Sequence, residues 1–214
     1  MRTMLAGLVV LLLPFPAMAV PLTVTNASFE TLPAGGLPFC NGSGTGCYSI
    51  APIPGWTNGG TSGQFQPLTA QLNYIPDGTT VAYTNGGTIA QTIAATAVAG
   101  RTYTLTADLG FRKDVPDPGF VNLMIGTVIV TATGVPSPSS GNWATYMARY
   151  TALASDAGSA IGIVLGSPGA QGDFDNVRLS VTAAVPELAA WSLMVAGFGL
   201  TGAALRRRAA TVAA

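Results

Sequence analysis

Histidine is absent from this chain, so a Ser-His-Asp or Cys-His catalytic arrangement and a histidine-ligated zinc site are excluded at the outset. The one lysine, Lys113, sits in the segment Arg112-Lys113-Asp114-Val115-Pro116-Asp117-Pro118-Gly119, whose charges and turn residues do not offer the burial that would depress an amine pKa for base chemistry. The prolines disfavour helix and interior strand alike, which predicts an exposed loop there. Carboxylates are the remaining acid-base groups. A glycosidase needs two of them across the scissile bond, and Asp108, Asp114, Asp117, Asp173 and Asp175 are the candidates for such a pair. A secreted polysaccharide-processing enzyme with paired aspartates is therefore the alternative to a protein without catalysis.

Cys40 and Cys47 flank the loop Asn41-Gly42-Ser43-Gly44-Thr45-Gly46. In an oxidising compartment an even pair this close predicts a loop disulfide, which stabilises by roughly 2–3 kcal/mol when unstrained. With no histidine and no third cysteine, a metal or redox pair lacks partners. Sugar binding requires an exposed ring to stack on a pyranose face, flanked by amides and carboxylates for the hydroxyls. Tyr48, Tyr74, Tyr83, Phe120, Trp143 and Tyr146 are the ring candidates, with Asn73, Asn85 and Asn142 near them in sequence. Trp56, Tyr103 and Trp143 are expected to be core, since most aromatics of a small sandwich are.

The elements that must position these groups are strands. Leu22–Thr25, Thr88–Ile93, Tyr103–Ala107, Val121–Ile125, Ala160–Leu165 and Val177–Val181 are short runs rich in β-branched residues, several of them alternating. Punctuators lie between them, among them Pro33-Ala34-Gly35-Gly36, Asn58-Gly59-Gly60, Asn85-Gly86-Gly87 and Pro136-Ser137-Pro138-Ser139-Ser140-Gly141, all read as turns. Only the alanine-rich Ile93–Gly100 is ambiguous between strand and helix. This pattern predicts an all-β ectodomain, a β-sandwich of jelly-roll type.

Both ends read as targeting segments. Arg2, the apolar run Met4–Phe15 and Ala17-Met18-Ala19 form a signal peptide over residues 1–19, with cleavage expected after Ala19. The ectodomain is then 20–184, long enough for one domain with its own core. Of nine basic residues Arg2 and Arg206–Arg208 fall outside it, leaving five; of nine acidic residues only Glu187 does, leaving eight. A net charge of five minus eight gives no basic patch for phosphates, and nucleic acid is not an expected partner. From Leu188 to Leu205 no residue is charged, and a helix rising roughly 1.5 Å per residue just spans a hydrocarbon core of about 30 Å. Arg206-Arg207-Arg208 would hold residues 209–214 on the cytoplasmic side, with everything before Pro186 outside.

The segment 185–208 resembles the PEP-CTERM sorting signal of Gram-negative bacteria, in its tryptophan and Gly-Phe-Gly subtype. The matching residues are Pro186, Glu187, Trp191, Gly197, Phe198, Gly199, Gly202, Arg206, Arg207 and Arg208, while Leu188 stands where the second proline of the motif belongs. The resemblance implies an exosortase-type partner that removes the tail, a transient stay in the inner membrane, and a final place at the cell surface or in the extracellular matrix. If the tail is not cut, the alternative is a membrane-anchored surface protein without a small ligand.

Three further stretches resemble carbohydrate-binding-module-like, galactose-binding-like jelly rolls: Asn26-Ala27-Ser28-Phe29-Glu30 with Pro54-Gly55-Trp56, Gln91-Thr92-Ile93 with Gly100–Leu105, and Asp173-Phe174-Asp175-Asn176-Val177-Arg178-Leu179. That resemblance implies adjacent first and last strands, and a structural calcium ion between them with Glu30 and Asp175 as carboxylates. Calcium takes six to eight oxygens, so two carboxylates need backbone oxygens, near Ser28, to complete the shell. Together these readings predict a non-catalytic exported matrix protein associated with exopolysaccharide or another carbohydrate.

Overall fold

The computed structural model describes residues 18–40, 46–115, 119–135, 138–183 and 193–203. One compact body runs from Ala19 to Ala183. Its strands in chain order are β1 (Ala19–Leu22), β2 (Phe39–Cys40), β3 (Cys47–Ser49), β4 (Thr57–Gln66), β5 (Val81–Thr96) and β6 (Thr102–Gly110), then β7 (Phe120–Ile125), β8 (Val128–Thr131), β9 (Trp143–Thr151), β10 (Ala160–Gly166) and β11 (Gln171–Thr182). Every strand pairing is antiparallel. A single 3₁₀ turn at Ala154–Asp156 is the other regular element of this body among the described residues.

The strands build two layers through β5, which changes partner along its length. Its first part, Ala82–Asn85, pairs with β11, whose other edge carries β6 and then β9. Its second part, Thr88–Thr96, pairs with β10, which continues into β7 and β8. Between the layers one core unites Leu105 and Leu109 of β6 and Phe174 and Leu179 of β11 with Ile89 of β5, Leu123 of β7 and Ile163 of β10. The alternation in β7, β10 and β11 aims every second side chain into this core, as a half-buried strand requires. The expected all-β sandwich is therefore the observed architecture. Trp56, Tyr103 and Trp143 are buried in it, as expected.

Asn58-Gly59-Gly60 and Asn85-Gly86-Gly87 are not turns. They lie inside β4 and β5, where a bulge between Gly59 and Thr61 coincides with the point at which β5 passes from one layer to the other. Gly60 and Gly86 adopt φ of +69° and +70°, and a Cβ at Gly87 would stand 2.3 Å from the Gly59 carbonyl oxygen. The glycines punctuate the sequence because the chain bends and two backbones meet there, not because the strands end. β1 lies earlier than the expected Leu22–Thr25, and Ile93–Gly100 resolves into strand to Thr96 followed by a turn.

Residues 193–203 are helical and contain Gly197, Phe198, Gly199 and Gly202. The apolar segment 188–205 extends beyond this helix at both ends, and among the described residues no helix is long and apolar enough to cross a membrane. Ala17, Pro186, Glu187, Trp191 and Arg206–Arg208 lie outside the described residues.

Candidate functional site

On the layer containing β11, the side chains that do not enter the core face outward. Phe174 points inward, so Gln171, Asp173 and Asp175 point outward, and their neighbours across β5 and β4 are Tyr83, Asn85, Phe65 and Thr61. β3 adds Tyr48 at the edge, opposite Phe65. Of these side chains Gln171, Tyr83, Asn85, Phe65, Thr61 and Tyr48 line a groove of about 430 Å³. Phe65 and Tyr83 meet edge to face at 5.7 Å, and the Tyr83 hydroxyl donates to the Ser49 carbonyl at 3.3 Å. Burial, assisted by the neighbouring Tyr48, pushes that phenol up to about 12.

The wall bearing Tyr48 is a short hairpin. Cys40 and Cys47 are register partners on β2 and β3 and form the expected disulfide, while the next pair, Phe39 and Tyr48, stacks at 5.1 Å. Two residues alone make a poor strand, so the crosslink and the ring pair together hold Tyr48 at the mouth.

Arg112 closes the far side. The segment after β6 was expected to be an exposed loop, yet Arg112 is only 8% exposed and lines the groove. Its Nε donates to Asp114 Oδ1 at 2.8 Å and its Nη2 to Oδ2 at 2.5 Å, and its guanidinium carbon lies 5.7 Å from the centre of the Phe65 ring. The Arg112 hydrogen bonds and charge hold the Asp114 carboxyl below the ordinary carboxylate range.

Asp173 lies beneath the floor, fully buried between Tyr83 on β5 and Gly110 on β6. Its Oδ1 accepts from Gln171 Nε2 at 2.8 Å and its Oδ2 has no partner. Burial pushes this carboxyl up to about 7, against the Gln171 hydrogen bond and the Arg112 charge. Asp175, two residues on, is raised to about 7 as well, by burial and by the charges of Asp77 and Asp108, against hydrogen bonds from the Asp77 and Asn176 amides. Asp108 is its cross-strand partner on β6 and accepts from Thr145 Oγ1 and Asn176 Nδ2. Three of the five candidate aspartates thus share one face. Asp114 is bound to Arg112, and Asp117 lies outside the described residues.

Glu30 faces the turn that precedes β5. Both its oxygens accept from Thr79 and Thr80, through two amides and two hydroxyls at 2.7–3.2 Å. Burial draws its carboxyl upward, but the Thr80 and Thr79 hydrogen bonds outweigh this and leave it below its ordinary value. Thr80 Oγ1 also reaches the Phe29 carbonyl at 2.6 Å, and Gln64 Oε1, buried without a partner, belongs to an amide whose nitrogen bonds that same carbonyl. This corner is rich in oxygen, which suits a hard cation, and among the described residues no group of three or more histidine, cysteine, aspartate or glutamate side chains could hold a metal ion.

Of the ring and amide candidates, the groove unites Tyr48, Tyr83 and Asn85. Trp143 is buried with its indole N–H on the Tyr74 carbonyl, and Tyr74 itself is exposed on the covering loop. Tyr146 bonds the Val135 carbonyl, Phe120 is not part of the groove, and Asn73 and Asn142 bond each other at 3.1 Å. Phe65, Arg112 and Gln171 were missed. Phe65 follows a glycine-rich run that hides a strand, and no local pattern marks Arg112 as facing inward.

The fold and this face define a two-layered β-sandwich carrying an aromatic groove with one guanidinium. A family profile described as "HpiC1-like: HpiC1 cyclase" matches residues 20–180, and the chain belongs to the HpiC1-like family. No curated protein matches the chain. Among solved structures it is similar to the CBM22-1 xylan-binding domain of Paenibacillus barcinonensis Xyn10C, with 11% identity and a TM-score of 0.42 over 66% of this chain and 99% of that one. It is also similar to the CBM22-1–GH10 modules of Clostridium thermocellum xylanase 10B, with 14% identity and a TM-score of 0.40 over 65% and 28%. The K1 cleaved adhesin domain of Lys-gingipain from Porphyromonas gingivalis follows at 11% identity and a TM-score of 0.36 over 65% and 99%. Nothing about the ligand of the groove follows from likeness at that level.

Proposed function

We propose that this is an exported surface or matrix protein whose groove binds a segment of carbohydrate. The observation that carries the reading is the convergence of Tyr48, Phe65 and Tyr83 with the amides of Asn85 and Gln171 in one open groove. The half-exposed Tyr48 ring supplies apolar contact for a sugar ring, with Phe65 and Tyr83, only 3% and 6% exposed, backing the groove, and the amides supply both donors and acceptors for its hydroxyls. Titration of the purified protein with a panel of exopolysaccharides tests it. Binding that weakens at least about tenfold in Tyr48→Ala supports the reading, and equal binding by the variant removes the groove from it.

Export and sorting complete this reading. Pro186, Glu187, Trp191, the glycine-rich helix and Arg206–Arg208 address the chain to an exosortase-type enzyme, which releases the sandwich at the cell surface. A structural calcium ion is part of the proposal, held in the corner of Glu30, which accepts from the Thr80 amide, with Asp175, which accepts from the Asp77 amide of the same turn. A higher melting temperature in calcium than in chelator, lost in Glu30→Gln, is the expected result; identical melting curves would remove the ion.

The family description and Asp173 favour a second reading, acid-assisted ring closure. A proton donor for such a step must still carry its proton near neutral pH, and a carboxyl at about 7 does so. Asp173 is fully buried and its Oδ1 accepts from Gln171, so the proton is carried on Oδ2, which has no other partner, and a substrate atom would have to reach that oxygen to take it. Product formation abolished by Asp173→Asn with binding retained would favour this reading over carriage alone.

A further inference from the structure

Arg112 is the one charged residue among the described residues lining the groove. A free guanidinium in an aromatic groove is a strong hook for carboxylate, sulfate or phosphate, because its planar fork matches their oxygens in pairs. Here one edge of the fork is already engaged, and its charge is balanced. Nε and Nη2 donate to the two oxygens of Asp114, and one face of the guanidinium lies toward Phe65. The two residues are separated only by Lys113, so the pair forms within one short stretch of backbone. The Arg112 side chain is 9% exposed and that of Asp114 is 51% exposed, so the carboxylate stands on the solvent side of the cation.

We propose that Asp114 sets the charge class of the ligand: by pairing with the Nε and Nη2 edge of Arg112 and balancing its charge, it restricts the groove to uncharged glycan segments and turns away uronate-bearing or sulfated ones. This rests on the carbohydrate reading above and narrows it. Two features of the site act in the same direction. The other lining groups, Asn85, Thr61, Gln171 and the two tyrosines, are neutral hydrogen-bonding groups suited to hydroxyls. Beneath them, the ionisation of Asp173 above about pH 7 adds negative charge and none to offset an anion. An anionic sugar entering the groove would lose hydration and find the charge of its one lining cation already balanced by Asp114.

Asp114 is accordingly a specificity-determining residue. Asp114→Asn keeps the size of the side chain and removes the charge, leaving the Arg112 cation unbalanced at the groove wall. The variant should gain at least about tenfold in affinity for an anionic polymer, in a manner suppressed by salt, while binding neutral polymer as before. Arg112→Gln alone should gain nothing toward anions, and the double variant should abolish the gain.

The experiment measures retention of the full protein on matched immobilised polymers, neutral galactan and xylan against polygalacturonate and glucuronoxylan, at low and high salt. Wild type retained on a neutral polymer and not on the anionic ones, with Asp114→Asn acquiring salt-sensitive retention on the latter, is the expected result. Wild-type retention on polygalacturonate at least equal to that on galactan would overturn the charge assignment and leave carbohydrate binding intact. A folded Asp114→Asn that still binds neutral polymer but gains no anionic binding would overturn the role of Asp114. Failure of wild type to bind any of the polymers would overturn the carbohydrate reading and this inference with it.

Discussion

Asp173 makes stability depend on pH in a direction opposite to that of an ordinary salt-bridged carboxylate. Burial pushes its folded-state pKa up to about 7, from an ordinary value of 3.8. The proton is therefore bound more tightly in the folded chain, so the stability it confers is fully present below 3.8 and is lost as pH climbs through 7. Between pH 5 and pH 8 the linkage amounts to a loss of about 3 kcal/mol for this group alone. Asn at this position is nearly isosteric, keeps an acceptor for Gln171 Nε2 and has no charged form to desolvate. Urea unfolding of wild type and Asp173→Asn at pH 5, 6, 7 and 8 is the assay. Wild type should lose stability across the series, Asp173→Asn should lose less by about 2–3 kcal/mol, and the variant should overtake wild type near pH 8. Asp175 contributes a residual slope in the same direction in both proteins. Parallel pH profiles for the two proteins would refute the reasoning.

Reducing the Cys40–Cys47 bridge, or replacing both cysteines by serine, should lower stability by about 2.5 kcal/mol through the entropy of the short loop. Because the bridge carries the Tyr48 hairpin, glycan affinity should fall as well; calorimetry with and without reductant reads the first and titration the second. Gly87→Ala places a methyl 2.3 Å from the Gly59 carbonyl oxygen, between two backbones that have no side chain to give way, and should destabilise by about 2–4 kcal/mol. A change in unfolding midpoint within error of zero would mean that the β4 and β5 bend relaxes freely. Intact mass of the native protein from membrane and medium separately should show a soluble species starting near Val20 and ending near Pro186, while a membrane species retaining Arg206–Arg208 would contradict sorting.

The alternating runs at Tyr103–Ala107, Val121–Ile125 and Ala160–Leu165 revealed their strands because each has one buried face and one wet face. β4 escaped because its sequence, Thr-Asn-Gly-Gly-Thr-Ser-Gly-Gln-Phe-Gln, has glycines where a partner backbone approaches and polar residues where it faces the interior. Gln64 on β4 and Thr84 on the adjoining β5 are buried, held by hydrogen bonds to distant backbone or to Ser167, which no local pattern can announce. The disulfide was legible because loop closure depends on two residues near in sequence. The groove was half legible: Tyr48, Tyr83 and Asn85 carry the right chemistry, but which rings share a face depends on strand register. Arg112 was hidden by its own neighbours, since charges and prolines describe a loop without saying that its first cation turns inward.

The most direct test of carbohydrate binding in the groove is hydrogen exchange of the full protein with and without a saturating neutral glycan. Slowed exchange confined to β3, β4, the first part of β5 and the segment 111–115 is the predicted result. Unchanged exchange there, or protection only on the outer face of β10 and β7, would contradict the placement of the site.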